Sequence, residues 1–280
     1  MTGSLRSAEL HLRTLHRVLP RAGLSRARFR APDERLVFVV GSPRSGTTFL
    51  GRSLGSLPGF VDLGEVAALK AEIPRVAGLP AEEAASRVHR ILTLTRRLAL
   101  LGSLRAVEQT PESVFIVGPA LRAFPQARFV HAVRDGRDVV CSLLERGWLR
   151  GERGGADDAG LPYGAEPRFW VEPDRREEFA LASDARRAAW AWRRYVTAAR
   201  DAEGRVHEVR YERLHGDPGG VAAELAAFLG TAEAPLAEAL AGAHGTSVGR
   251  WQRELAEAEL ADVLAECGGL LEELGYLRSV

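Results

Sequence analysis

The stretch Leu36-Val-Phe-Val-Val-Gly-Ser-Pro-Arg-Ser-Gly-Thr-Thr-Phe-Leu50 joins three signals in an order that few folds accept. Val37 to Val40 form a continuous apolar run, the pattern of a strand buried on both faces in a parallel sheet. Gly41 to Gly46 bound a tight loop whose backbone N–H groups suit an anion. Thr47 and Thr48 open a helical pattern, where unpaired amides and the positive end of the dipole favour a phosphate or sulfate. Strand, loop and helix in this order predict an α/β fold with the loop at the carboxyl end of its first strand.

The loop has the spacing of a P-loop but lacks its lysine. A nucleotide triphosphatase needs Gly-x4-Gly-Lys-Ser/Thr, in which Lys reaches the terminal phosphates and the hydroxyl holds Mg²⁺. Thr47 stands where that Lys belongs, and Arg44 is the loop's cation. Lys70, the only lysine of the chain, lies far outside the loop in sequence. The loop therefore suits an anion without a metal-bridged triphosphate.

The 280 residues suffice for one large core. A net charge of +1 gives no whole-chain argument for nucleic acid or a membrane. Cys141 and Cys267 make neither a disulfide framework nor a metal site, and no metal is expected. No apolar run is long enough to span a bilayer, and none reads as a secretory leader, so the expected location is cytoplasmic.

An amphipathic helix is expected over 3–19, followed by a basic arm over 21–30 that reads as solvated. A domain from 35 to 280 follows, with helices expected over 65–77 and 81–101. The stretch Val107-Glu-Gln-Thr-Pro111 reads as a strand end entering a helix. A buried strand over 127–133 leads into a helix reaching Arg146. Residues 148–176 are rich in Gly, Pro and charge, with interspersed aromatics, and read as an acceptor-side insertion together with 65–101. Ser183 is placed to cap a long helix, 205–211 reads as a strand, and helices over 218–229, 234–243 and 254–274 finish the chain. The sum is a single α/β domain with a P-loop-type parallel sheet flanked by helices on both faces.

A second anion site is expected at Phe129-Val-His-Ala-Val-Arg-Asp-Gly-Arg-Asp-Val-Val-Cys-Ser142. Arg134 emerges at the strand's carboxyl end, and Ser142 follows two helical turns later near the same face. The pair suits a phosphate, held by a bidentate grip and a hydroxyl bond. Arg137 reads instead as a local partner of the neighbouring aspartates.

The Pro-Arg-Ser-Gly-Thr-Thr loop and the Arg134-to-Ser142 stretch resemble the phosphosulfate and 3′-phosphate motifs of sulfotransferases that use 3′-phosphoadenosine 5′-phosphosulfate (PAPS). The likeness is to the branch with tyrosylprotein, carbohydrate and bacterial members. It implies that Arg44, Ser45, Gly46, Thr47 and Thr48 hold the 5′-phosphosulfate, and Arg134 and Ser142 the 3′-phosphate. Arg146 falls where tyrosylprotein members carry a further cofactor-binding arginine. Val209-Arg-Tyr-Glu-Arg-Leu214 resembles the family strand that brings Tyr211 near the adenosine. Thr246-Ser-Val-Gly-Arg-Trp-Gln-Arg-Glu-Leu255 resembles the family's C-terminal loop, which implies nucleotide contacts for Ser247, Arg250 and Trp251.

Sulfuryl transfer to a hydroxyl or amine needs in-line positioning, stabilisation of the leaving phosphate and a base. Arg44 serves the second need. Glu65, in Asp62-Leu-Gly-Glu65, falls where tyrosylprotein members carry a catalytic glutamate, with Asp62 the alternative base. The chain departs from the family at Gln109, where many relatives have a lysine against the sulfuryl group. Arg75, Arg90, Arg105 or Lys70 are candidates to replace that charge. The acceptor is expected to be a small molecule or carbohydrate. The alternatives are a P-loop kinase and a nucleotide-binding protein that has lost transfer.

Overall fold

One parallel sheet organises the chain in the computed structural model, which describes residues 2–19, 33–99, 101–146, 148–149, 170–200 and 205–277. Its strands are β1 (Val37–Val40), β2 (Phe60–Gly64), β3 (Arg105–Glu108), β4 (Arg128–Val133) and β5 (Val206–Arg210). They lie in the order β2-β3-β1-β4-β5, and every pairing is parallel. The chain builds the β2–β3 side first and the β4–β5 side afterwards. The crevice at the strands' carboxyl ends therefore opens beside β1.

Thirteen α-helices are described: α1 (Thr2–Val18), α2 (Thr47–Gly55), α3 (Ala67–Val76), α4 (Ala81–Leu98), α5 (Val117–Ala123), α6 (Gly136–Arg146), α7 (Arg176–Leu181), α8 (Asp184–Arg200), α9 (Tyr211–Gly216), α10 (Pro218–Leu229), α11 (Glu233–Leu240), α12 (Trp251–Glu254) and α13 (Glu257–Glu273). A 3₁₀ turn, Pro111–Ile116, joins β3 to α5.

The alternation of side chains along β1 divides the core in two. Phe38 and Val40 face a cluster that takes in Leu63, Phe129, Trp190 and Trp192, with Phe38 and Phe129 stacked 4.6 Å apart. Val37 and Val39 face the other cluster, with Leu50 and Leu54 of α2 and Val221 and Leu225 of α10. This is why an apolar run without alternation marks β1: both faces are covered by helices.

Most expected elements stand where the sequence placed them. Ser183 Oγ accepts from Arg186 N at 3.1 Å, capping α8. Asp217 Oδ1 accepts from Gly220 N at 2.9 Å and caps α10, with Pro218 in the first turn. Two expectations shift. The strand expected over 205–211 stops at Arg210, and Tyr211 already belongs to α9. The last expected helix divides into α12 and α13 at Leu255 and Ala256, whose backbones are extended. The amphipathic helix α1 lies against the domain: Leu10 packs with Ala67 and Ala68, and His11 Nδ1 is 3.0 Å from Thr95 Oγ1. The basic arm over 21–30 and most of 148–176 lie outside the described residues. Among the described residues no helix is long and apolar enough to cross a membrane.

The turn out of β1 depends on one glycine. Gly41 has φ 145°, and an added Cβ would lie 2.4 Å from the carbonyl oxygen of Ala132 on β4. Gly41→Ala is expected to destabilise the fold by about 2 kcal/mol or more through backbone strain and overpacking. Urea denaturation tests this, and a midpoint equal to that of the unsubstituted chain would show that β1 and β4 can part at no cost.

Candidate active site

The loop after β1 is shaped by two left-handed residues. Gly46, at φ 94°, precedes the first turn of α2, and an added Cβ there would lie 2.7 Å from the Tyr211 ring. Arg44, at φ 73°, is the one non-glycine with positive φ among the described residues. Such a conformation costs an arginine roughly 1 kcal/mol or more and persists where neighbours hold it. Two do so. Arg44 Nε donates to Ser142 Oγ at 2.9 Å, and the Arg44 carbonyl accepts from Arg134 Nη1 at 3.3 Å.

Pairing of β4 beside β1 sets the second βα turn next to the first. Arg134 is buried there, its guanidinium 4.7 Å from the centre of the Tyr211 ring. Its Nη2 donates to the Ser247 carbonyl, and Tyr211 Oη lies 3.1 Å from Ser247 Oγ. The C-terminal loop is held over this turn by Asp138, which accepts from Gly249 N at 2.8 Å and Trp251 N at 3.0 Å. Arg137 is bidentate to Asp135 and stands 3.9 Å from the Trp251 ring centre, as a local partner should. Arg250 pairs with Glu254 and Glu145 at the loop's outer side.

A cleft opens in front of the first loop. Pro43, Arg44, Thr47 and Thr48 line one wall. Glu65, Lys70, Pro111 and Glu112 line another, and Trp148 and Trp170 complete it. Lys70 Nζ donates to Glu65 Oε2 at 2.6 Å and lies 3.5 Å from Glu112 Oε2. Beneath these groups Glu108, at the end of β3, is fully buried. Its carboxylate accepts from Thr110 N at 2.9 Å, from the Thr110 hydroxyl, from Ser113 Oγ at 2.9 Å and from Val66 N at 3.4 Å. One side chain thus joins the turn carrying Glu65 to the turn carrying Glu112. Burial pushes the Glu108 carboxyl up to about 7 against the pull of those hydrogen bonds.

The sequence-derived residues fall into three groups. Arg44, Thr47, Thr48 and Glu65 share the cleft. Arg134, Ser142, Tyr211 and Ser247 form a bonded set against the loop's other side. Arg250 and Trp251 belong to the C-terminal loop, outside the cleft's lining, and Arg146 stands 5.9 Å from the Trp148 ring centre. Asp62 is turned away from the cleft: its Oδ1 accepts from Gly64 N at 2.7 Å, and its Cβ packs against Gly55 of α2. Gln109 also faces α2, where its Oε1 meets Gly51. Among the candidates for the missing charge, Arg75 and Arg90 are exposed, and Arg105 is bound to the Leu229 and Arg35 carbonyls at the start of β3. Lys70, distant in sequence, is the one that reaches the cleft. Sequence reasoning passed over Glu112 and Glu108, and Lys70's signal was its singularity in a chain whose other basic side chains are arginines.

The groups around the loop suit an anion. Ser45 Oγ and Arg134 Nε are buried without a hydrogen-bond partner among the described residues. Unsatisfied donors beside the open amides of a helix start are costly unless a ligand takes them.

Comparison with known proteins gives the family. A model described as "Sulfotransferase family" matches residues 82–235, more than half of the chain. The chain belongs to the sulfotransferase family. The sulfotransferase domain of the Synechococcus PCC 7002 olefin synthase superposes with a TM-score of 0.56 at 18% identity, over 89% of this chain and 97% of that one. The sulfotransferase domain of the curacin biosynthetic pathway gives 0.51 at 16% identity, over 85% and 98%. A Mycobacterium avium sulfotransferase gives 0.50 at 16% identity, over 96% and 84%. At these identities the likeness is one of fold. An uncharacterized protein of Aquifex aeolicus (strain VF5) is 27% identical over 214 residues, 70% of this chain. The chain spans about a quarter of that relative's length.

Glu108 gives a pH signature of its own. A carboxyl whose folded pKa is raised stabilises the fold fully below its ordinary value of 4.5, and that contribution is lost as pH rises to about 7. The shift corresponds to about 3 kcal/mol. Glu108→Gln keeps the shape and removes the titration. Denaturation between pH 4.5 and 7.5 should therefore show stability falling with pH in the parent relative to the variant. Parallel profiles would mean that Glu108 does not titrate in this window.

Proposed function

We propose that the chain moves the sulfuryl group of PAPS to a hydroxyl or amine of a small-molecule or carbohydrate acceptor by in-line transfer. The observation that carries this reading is the bond between Arg44 and Ser142, which makes two anion-binding βα turns one continuous surface beside a cleft holding Glu65. A nucleotide with phosphate groups at both its 3′ and 5′ positions carries one anion for each turn. PAPS, when bound, supplies an activated sulfuryl group and a phosphate leaving group.

On this reading the amides of 45–48 and the hydroxyls of Thr47 and Thr48 grip the 5′ end, and Arg44 neutralises charge that develops on the leaving oxygen. Arg134 and Ser142 take the 3′-phosphate, which requires Arg134 to exchange its carbonyl partners for a charged one, a stronger bond. Tyr211 and Ser247 flank the nucleoside, and the loop carrying Arg250 and Trp251 covers it. Glu65 takes the acceptor's proton as the new S–O or S–N bond forms. Trp148 and Trp170 offer flat apolar walls on the acceptor's side. No metal has a role in this scheme.

Calorimetric titration with adenosine 3′,5′-bisphosphate, the other product, tests the donor. Binding without Mg²⁺ is expected, weakened roughly tenfold or more in Arg134→Ala through loss of charge-assisted hydrogen bonds. Glu65→Ala should leave it nearly unchanged. Absence of binding, or preference for ATP with Mg²⁺, would overturn the donor and return the chain to the wider P-loop class.

A further inference from the structure

The chain has a single lysine among 38 basic side chains, and the fold places it in the cleft with its side chain only 5% exposed. Its Nζ lies between carboxylates from two different segments: Glu65 after β2 at 2.6 Å, and Glu112 in the 3₁₀ turn at 3.5 Å. Glu112 is buried, and its Oε2 accepts no hydrogen bond among the described residues, so its attraction to Lys70 is chiefly electrostatic. An ammonium is a compact point charge with three donors, well suited to standing between two acceptors, whereas a guanidinium is a planar fork of greater length. A chain that uses arginine everywhere else has a lysine at this position.

We propose that Glu65, Lys70 and Glu112 form one proton-handling unit, in which Lys70 positions Glu65 and Glu112 keeps Lys70 charge-compensated after Glu65 takes a proton. This rests on the reading of Glu65 as the base. A carboxylate paired with an ammonium alone is a poor base, because the opposite charge favours its ionised form. A second carboxylate opposes that effect. Before transfer the trio carries one excess negative charge, and after transfer it is neutral: Glu65 protonated, Lys70 balanced by Glu112. The proton comes from the acceptor's O–H or N–H, whose bonding pair becomes the new bond to sulfur, and the bond from sulfur to the leaving phosphate oxygen breaks. Lys70 and Glu112 neither gain nor lose a proton. Among the described residues, the nearby charged groups include Arg44 from the loop after β1, Asp62 from β2 and Glu108 beneath. The first stands toward the donor, the second is engaged in its own turn, and the third is engaged with Val66, Thr110 and Ser113.

Because there is one lysine, acetic anhydride reports on it alone among the side-chain amines, with the chain's α-amine as internal standard. Labelling followed by mass spectrometry from pH 7 to 10 is expected to be slow at Lys70 in the parent and several-fold faster in both Glu65→Gln and Glu112→Gln. Melting temperature and bisphosphate affinity should stay near those of the parent. Labelling of Glu112→Gln at the parent's rate would overturn the proposal, as would free labelling of Lys70 in the parent. PAPS hydrolysis, with water as acceptor and bisphosphate release as the readout, gives the second arm. Glu112→Gln should move the acidic limb of the rate to lower pH and Lys70→Met should move it to higher pH, each by about one unit. Shifts of the same sign, or none, would overturn the unit. Failure of the bisphosphate to bind would instead overturn the donor, with the labelling result standing on its own.

Discussion

Arg134 is the residue on which the arrangement of the site turns. Its carbonyl accepts from Trp192 Nε1 at 3.1 Å, so α8 fixes the backbone at the end of β4. Its side chain reaches the loop after β1, the C-terminal loop and the ring of Tyr211. Four segments far apart in sequence meet at one guanidinium and its own carbonyl. The geometry works because β4 runs directly beside β1, in register from Val37 with Arg128 to Val40 with His131. Any sheet order that put another strand between them would separate the turns after β1 and β4 by about 5 Å more.

Several buried charges at the carboxyl ends of the strands have partners in another segment and so tie segments together, while Asp62 and Asp135 serve their own turns. Asp138 binds two amides of the C-terminal loop. Half-buried Glu212 accepts from Asp135 N at 2.9 Å and from the Tyr276 hydroxyl at 3.0 Å, tying Tyr276 to the second turn. Ionised groups taken out of water are tolerable only when so satisfied. His131 shows the contrary case. It sits inside β4 with no charged partner nearer than 3.8 Å, and burial drives its imidazole down to about 3, so it is a neutral ring packed in the sheet.

The sheet, its flanking helices and the positions of both βα turns were legible because each rests on local rules. An unbroken apolar run gave β1, glycine punctuation gave the loop, Ser183 and Asp217 gave helix starts, and an arginine at a strand end gave the second turn. Glu65 was singled out by likeness to a family motif, and the fold sets it in the same cleft as Arg44. The pairing of Lys70 with Glu112 was not legible. It depends on how α3 leans against the 3₁₀ turn, which no spacing within either segment encodes. The orientation of Gln109 was equally hidden, because it is decided by the absence of a side chain at Gly51 on a neighbouring helix. Asp62, three residues from Glu65, was the alternative base. The turn at Gly64, with φ 65°, separates them by sending one behind α2 and the other into the cleft.

Strand β3 carries a charged residue at each end and only two residues between them. Arg105 at one end lies on the Phe60 ring and binds carbonyls of Leu229 and Arg35, while Glu108 at the other joins two walls of the cleft. At about 3.3 Å per residue the strand is a ruler roughly 10 Å long between its two anchors. Adding or removing one residue would drag a charge into the sheet's interior and turn the remaining side chains to the opposite face. The distance from Arg105 to Glu108 is thus held at both ends, in a segment that holds no residue of the loop after β1.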